Sequence, residues 1–505
     1  MQFKTFPANV SLDNKKKAIA AEIYGNRFHA DQTLYEYLIE FLLIFVSGDD
    51  DVENPKEKLR FHNPNATGPL HYTVQPRIGL KRFIFFDKNK KNDAVEIDKL
   101  AYQKMINILK EKINDDDEEN KIELISCLQD LLHGYAVVLK KRTWCAQALL
   151  PICPELIFCE AMPNNGNRAK LKWNKLEEDM HMEEVDNSFD FSKHNFLARG
   201  GELYYLHILQ GLQGYPEKQK KLEALLYEQL VVNGKKMSQI ANFIQDTWEE
   251  HMGYDRHPEV KLHMSFIPEN AYTNIATDSV DELINYMSCR MHPIKKIELL
   301  SKGIMIQVMR MLSVATTNYL KKDRECWIVD MHGSESTTVK RIATEGLIEI
   351  QDVFFTAFGK NVSDDLNGES RQKQINKMRK DSYDVFKAKG KELQLIIPTS
   401  GPNERFSLAE DVIRFLVLSL IAPGQKMTLD MFLEKLYDKY RFVIGPVQYK
   451  KMSASMQNDV ALSSSFTDNL KSFQSFLKAT GFLRELSDAT SIVINPYEEI
   501  EEGDI

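Results

Sequence analysis

The sequence predicts a mainly helical protein with small β elements: a helical body of several segments, followed by a C-terminal α+β unit. Three observations carry this. Apolar residues recur at helical spacing through most of the 505 residues, and stretches with β character are short and scattered. Hydrophobic residues at 43% and charged residues at 27% are ordinary for a folded chain, which sets disorder aside. A chain of this length exceeds a single core. Breaks in pattern divide it into 1–163, an N-terminal helical region with a short β element; 164–397, a central mainly helical region; 398–497, the C-terminal unit; and 498–505, an acidic tail.

Composition narrows the function classes. The net charge of −8 excludes a generally basic coat, so any nucleic-acid binding must sit on a local patch. The six cysteines (Cys127, Cys145, Cys153, Cys159, Cys289 and Cys326) contain no C-x-x-C pair, so neither a zinc knuckle nor a disulfide framework is expected. The most apolar run, 37–46, is too short to span a membrane. A cytoplasmic location, no membrane and no cofactor are the expectations.

Taken in order, residues 1–30 lack periodicity, and the first firm helix is predicted over 31–46, ended by Gly48-Asp49-Asp50-Asp51. From 72 to 86, Val74, Ile78, Leu80 and the run Phe83-Ile84-Phe85-Phe86 predict one or two strands. Basic residues interleaved there could grip single-stranded nucleic acid, though a buried strand with a lysine-rich exit is the plainer reading. Helices are predicted over 94–113 and 122–139, with a further helical stretch ending at Pro151. Arg199-Gly200-Gly201-Glu202 opens the next helix, where paired glycines would let backbone N–H groups approach an anion. It lacks phosphate-loop spacing, so a helix start with an Arg–Glu ion pair is favoured. Helices follow over 203–212, 217–232, 237–250, 278–287 and 293–312.

Two clusters hold chemistry-bearing residue types. His251, Asp255 and His257, with His263 beyond, are competent metal ligands but match no metal motif, so a polar loop is favoured. Cys326-Trp327-Ile328-Val329-Asp330-Met331-His332 reads as a strand delivering Asp330 and His332 into a small-residue loop, the placement hydrolases use for their acids and bases. No second acid cluster accompanies it. Further on, 342–358 is helical, and 371–391 holds eight Lys/Arg against two Asp/Glu, including Arg371, Lys373, Lys377, Arg379 and Lys380. A strand at 393–397 leads into Pro398-Thr-Ser-Gly-Pro402, read as a linker.

The C-terminal unit has the clearest local signals. Ser407 and Glu410 suggest a capping box for a first helix, and Thr428 caps a second with Leu429, Phe432, Leu433, Leu436 and Tyr440 on one face. Phe442-Val443-Ile444 reads as a short strand. A third helix over 466–480 buries Phe466, Leu470, Phe473 and Leu477 and ends on Gly481. Segments 482–486 and 491–494 then pair as a two-stranded ribbon. This order resembles the winged helix-turn-helix superfamily over residues 407–496. The resemblance implies that the third helix and the ribbon face nucleic acid, placing Lys471, Ser475, Lys478 and Arg484 there. The charge of the unit, ten Lys/Arg against nine Asp/Glu, is nearly balanced, which also suits a protein-docking module.

The leading expectation is a noncatalytic, nucleic-acid-associated accessory protein that binds DNA and protein partners. Its architecture loosely resembles accessory subunits of multi-component prokaryotic DNA-processing or anti-phage systems. The alternative is a scaffold whose winged helix docks a partner protein. The third reading is a hydrolase or nuclease centred on Asp330 and His332.

Overall fold

A computed structural model describes residues 4–8, 19–26, 28–48, 59–65, 70–88, 96–139, 146–160, 199–251, 260–331, 337–359, 368–453, 460–487 and 490–500. Among the described residues helix accounts for 64% and strand for 10%, so the mainly helical class with small sheets holds.

After β1 (Thr5–Phe6) and α1 (Ile19–Tyr24) comes α2 (Leu34–Ser47). The Thr33 hydroxyl accepts from the Glu36 N–H, while the Glu36 carboxylate accepts from the Thr33 N–H at 2.6 Å, a reciprocal cap that starts the helix. Every residue from Tyr37 to Val46 is buried, which makes α2 a core helix. The stretch read as one or two strands divides differently. His71–Val74 is β2, but Ile78–Phe85 is a helix, α3. Its apolar run carries no helical period because the helix is covered on all sides. Even its cations are interior: Lys81 reaches Glu160 at 2.9 Å, and Arg82 lies 5.5 Å from the Trp248 ring.

Helices α4 (Glu96–Lys112) and α5 (Glu118–His133) lie near their expected places. The next two segments do not. β3 (Ala136–Val138) and β4 (Ala148–Leu149) pair antiparallel where helix was expected, and residues 140–145 lie outside the described residues. The short α6 (Pro154–Phe158) follows.

The centre of the body is built from α7 (Gly200–Leu212), α8 (Pro216–Tyr227) with a π turn at Glu228–Val232, α9 (Lys235–His251), α10 (Thr273–Met287) and α11 (Pro293–Leu320). Between them, β5 (Val260–His263) pairs with β2 and β6 (Ile267–Pro268) with β1, both antiparallel. Helix α11 is 28 residues long, about 42 Å at 1.5 Å per residue. It is apolar enough to cross a membrane, yet 94% of its most apolar window is buried inside the fold.

From the end of α11 the chain forms β7 (Trp327–Ile328), α12 (Thr337–Gly359), α13 (Gly368–Lys380) and α14 (Tyr383–Glu392). Residues 398–402, expected as a linker, are the turn of a hairpin between β8 (Ile396–Ile397) and β9 (Arg405–Phe406). The remaining elements are α15 (Glu410–Leu420), β10 (Lys426–Thr428), α16 (Leu429–Tyr440), β11 (Phe442–Val443), α17 (Pro446–Met452), α18 (Val460–Ala479), β12 (Leu483–Ser487) and β13 (Thr490–Ile494). Three strands form an antiparallel sheet in the order β10-β13-β12. Thr428 caps α16 as expected, its hydroxyl accepting from the Met431 N–H. The Ser407 cap does not form. Ser407 continues the hairpin, its N–H donating to Leu395, and α15 starts after Ala409 instead.

This C-terminal unit is bonded into the body. β11 runs parallel to β7, and Trp327 stacks flat on Phe406 with ring centroids 4.9 Å apart. Helix α15 packs on α10 and α11. Gly303 permits the second contact, since a Cβ there would lie 2.0 Å from the Phe415 ring. One continuous apolar core therefore extends from Phe6 to Ile500.

Candidate functional site

Helix α18 has two distinct faces. The inner one buries Phe466, Phe473 and Leu477 together with Asn469, whose carboxamide donates to the carbonyls of Val329 and Ile444 and accepts from the Met331 N–H. Asn469 thus ties this helix to the strand end that follows β7. The outer face exposes Lys471, Ser475 and Lys478, with Arg484 exposed on β12. Two of these cations already have local partners: Lys471 pairs with Asp468 at 3.0 Å, and Lys478 with Glu485 at 2.9 Å. Exposed pairs of this kind are weak and exchangeable, so they lower the positive potential without blocking a stronger anion.

The basic stretch 371–391 separates into two parts. Arg371, Lys373, Lys377, Arg379 and Lys380 are all exposed on α13. Lys373, Lys377 and Lys380 follow i, i+4, i+7 spacing, and Asn376 falls on the same face. They border an open hollow of about 630 Å³ closed by Asp381 and Asp384, the latter 3.7 Å from Arg379. The later lysines are structural. Lys387 and Lys391 clasp Glu404 at 2.6 and 2.5 Å, holding its carboxyl below the usual range despite its partial burial. Lys389 is buried, donating to the Gln32 carbonyl and Glu392.

The two basic groups sit at different places along α12. Near its start, Val339 and Ala343 pack with Phe466 of α18; further on, Phe354 and Phe355 contact Tyr383 of α14, which follows α13. From residue 343 to 354 the helix rises roughly 16 Å. One rigid rod therefore links both groups.

The enzyme-like stretch is half described. Asp330 is wholly buried, its Oδ2 accepting from Arg405 Nε at 2.6 Å, and its backbone N–H donates to Phe406. It pins the β8–β9 hairpin and has no surface through which to meet a substrate. His332 lies outside the described residues, as do Asp255 and His257, while His251 ends α9. Among the described residues no three His, Cys, Asp or Glu side chains cluster as metal ligands.

The paired glycines at the start of α7 do meet an anion, and it is the protein's own. Glu40 of α2 accepts the Arg199 and Gly201 N–H groups, each at 2.6 Å. Glycine is required sterically: a Cβ on Gly201 would lie 2.2 Å from the Tyr37 carbonyl, and one on Gly200 2.2 Å from the Tyr37 ring. The expected Arg199–Glu202 pair forms at 3.1 Å. Burial and the adjacent Glu202 push the Glu40 carboxyl up to about 8, outweighing these N–H bonds and Arg199.

A feature that sequence reading missed is a cleft of about 830 Å³ between residues 323–328, α12, α16 and α17. Its lining comes from two stretches far apart in sequence, 323–349 and 437–453, with no common spacing. No protein-family model, curated protein or solved structure matches the chain.

Proposed function

We propose that this chain is a noncatalytic, nucleic-acid-associated protein in which α13 supplies phosphate contacts and residues 407–496 act as a winged helix beside it. The observation that carries the reading is the exposure of five cations on one short helix of an otherwise acidic protein. The winged-helix part is supported by element order. Helix, strand, two helices and a two-stranded ribbon occur in sequence, with the first strand closing the sheet against the last; β11, which pairs with β7, and the short α17 lie between the second and third main helices. An accessory place in a multi-component DNA-processing or defence system, and a cytoplasmic location, extend this reading and rest on architectural resemblance and composition.

A second reading, a winged helix that docks a protein, is favoured by one observation: Lys471 and Lys478 are already paired with acids on their own surface. Salt dependence separates the two. Each neutralised phosphate contributes about −0.9 to the log-log slope of duplex affinity against salt, so replacing Lys373, Lys377 and Lys380 by Ala should flatten it by up to about 2.7. Gel shifts at several salt concentrations measure this. Absence of duplex binding at low salt would remove nucleic acid and leave docking.

A further inference from the structure

The cleft between body and C-terminal unit has two unlike poles. On one side, Arg441 leaves the end of α16 in the left-handed conformation, at φ 62°, with its guanidinium 5.2 Å from the Tyr437 ring centroid. Arg324 lies beside it, donating Nη1–H to the Lys439 carbonyl while its Nε and Nη2 are buried without a partner. Neither arginine has a carboxylate partner within 4 Å among the described residues. Burial and the nearby Arg310 and Arg441 push the Arg324 guanidinium down to about 9, the response of a cation in want of an anion. On the other side stand Glu325 and Glu349. The Glu325 carboxyl is raised by burial and by Glu349, which outweigh the nearby Lys322. Cys326 lines the same cleft.

The other charges lining the cleft are mostly satisfied internally. Arg341 pairs with Glu345 at 2.8 Å, and Lys451 pairs with Glu434; Asp323 is exposed. Ile328, Ile342 and Met452 provide apolar lining. At about 830 Å³ the space suits a small molecule or a few residues of polypeptide, and a junction between two units is a common place for such a site.

We infer that this cleft binds a zwitterionic ligand, an anionic group against Arg324 and Arg441 and an ammonium group against Glu325 and Glu349, joined by an apolar stem. A guanidinium pair can take a carboxylate by charge-assisted hydrogen bonds, and a carboxylate pair gains from a cation that relieves its repulsion. A ligand with only one of these charges leaves the opposite pole uncompensated.

The test titrates the full chain by calorimetry with 6-aminohexanoate, and with hexanoate and hexylamine as single-charge controls. The expected result is saturable binding of 6-aminohexanoate at least tenfold tighter than either control. Arg441→Asn, which keeps a residue tolerant of the left-handed conformation, should weaken it at least tenfold. Glu349→Gln, at an exposed position, should weaken 6-aminohexanoate and leave hexanoate unchanged. No binding by any probe, equal binding of hexanoate and 6-aminohexanoate, or binding indifferent to Arg441→Asn would overturn the inference. An end-blocked Asp-Leu-Leu-Lys peptide distinguishes the source: tighter binding than 6-aminohexanoate assigns the ligand to a polypeptide segment, weaker binding to a free small molecule.

Discussion

Glu40 shows how one side chain can join distant segments and make stability depend on pH. It caps α7 from within α2, and burial raises its carboxyl from 4.5 to about 8. With the folded value above the unfolded one, its stabilising contribution is complete below about pH 4.5 and is lost as pH rises through about 8. His207 has the opposite sign. Buried and near Arg310, it falls from 6.5 to about 3, so its contribution is complete above about pH 6.5 and is lost as pH falls toward 3. Of these two, Glu40 is the one whose contribution changes through most of the range from pH 6.5 to 8.5. Thermal unfolding across that window should show the wild-type midpoint declining more steeply with pH than the Glu40→Gln midpoint, whatever their absolute values. Equal slopes would show that Glu40 does not titrate there.

At the scale of the element, α18 has one face built into the fold and one left exposed. Its inner Asn469 makes three hydrogen bonds to strand ends that Ala could not replace, leaving buried backbone groups unpaired. Asn469→Ala should cost about 2–4 kcal/mol, read from the denaturation midpoint. Lys471→Ala on the outer face should leave that midpoint unchanged and, on the proposed nucleic-acid reading, weaken duplex binding. If both variants unfold like the wild type, Asn469 is not the link it resembles. Helix α13 differs again: its cations are exposed, whereas the lysines of α14 are spent on Glu404 and Gln32. A count of charge along 371–391 merges these two roles.

The whole molecule is held across the α10–α11–α16 junction by a buried charged group. Arg310 bonds Glu282 at 2.8 Å, Tyr440 donates to the same carboxylate at 2.5 Å, and Tyr204 of α7 reaches Gln307. Since Tyr440 belongs to α16, the C-terminal unit contributes to a group that the body also needs. Arg310→Met would strand the Glu282 carboxylate at a cost of about 3–5 kcal/mol, and adding Glu282→Leu should recover most of it. Calorimetry should show one unfolding transition for both units. Two transitions, or a double variant no more stable than Arg310→Met, would contradict this coupling.

Much of the fold was legible where neighbours in sequence settle the outcome. Helices with one wet face, the Thr428 cap and the terminal ribbon follow from periodicity, side-chain reach and turn residues acting over a few positions. The exposed cations of α13 were legible too, as residue types. Other features depended on what lies across the fold. Helix α3 resembled strand because burial on every side erased its period, and 398–402 resembled a linker because its Pro, Ser and Gly suit a turn and a linker alike, while the strands beside it are too short to show alternation. Asp330 resembled a site residue until Arg405 was seen against it. The cleft of Arg324, Arg441, Glu325 and Glu349 belongs to the same class: desolvation and charge proximity arise only when distant segments meet, so tertiary structure alone decided it.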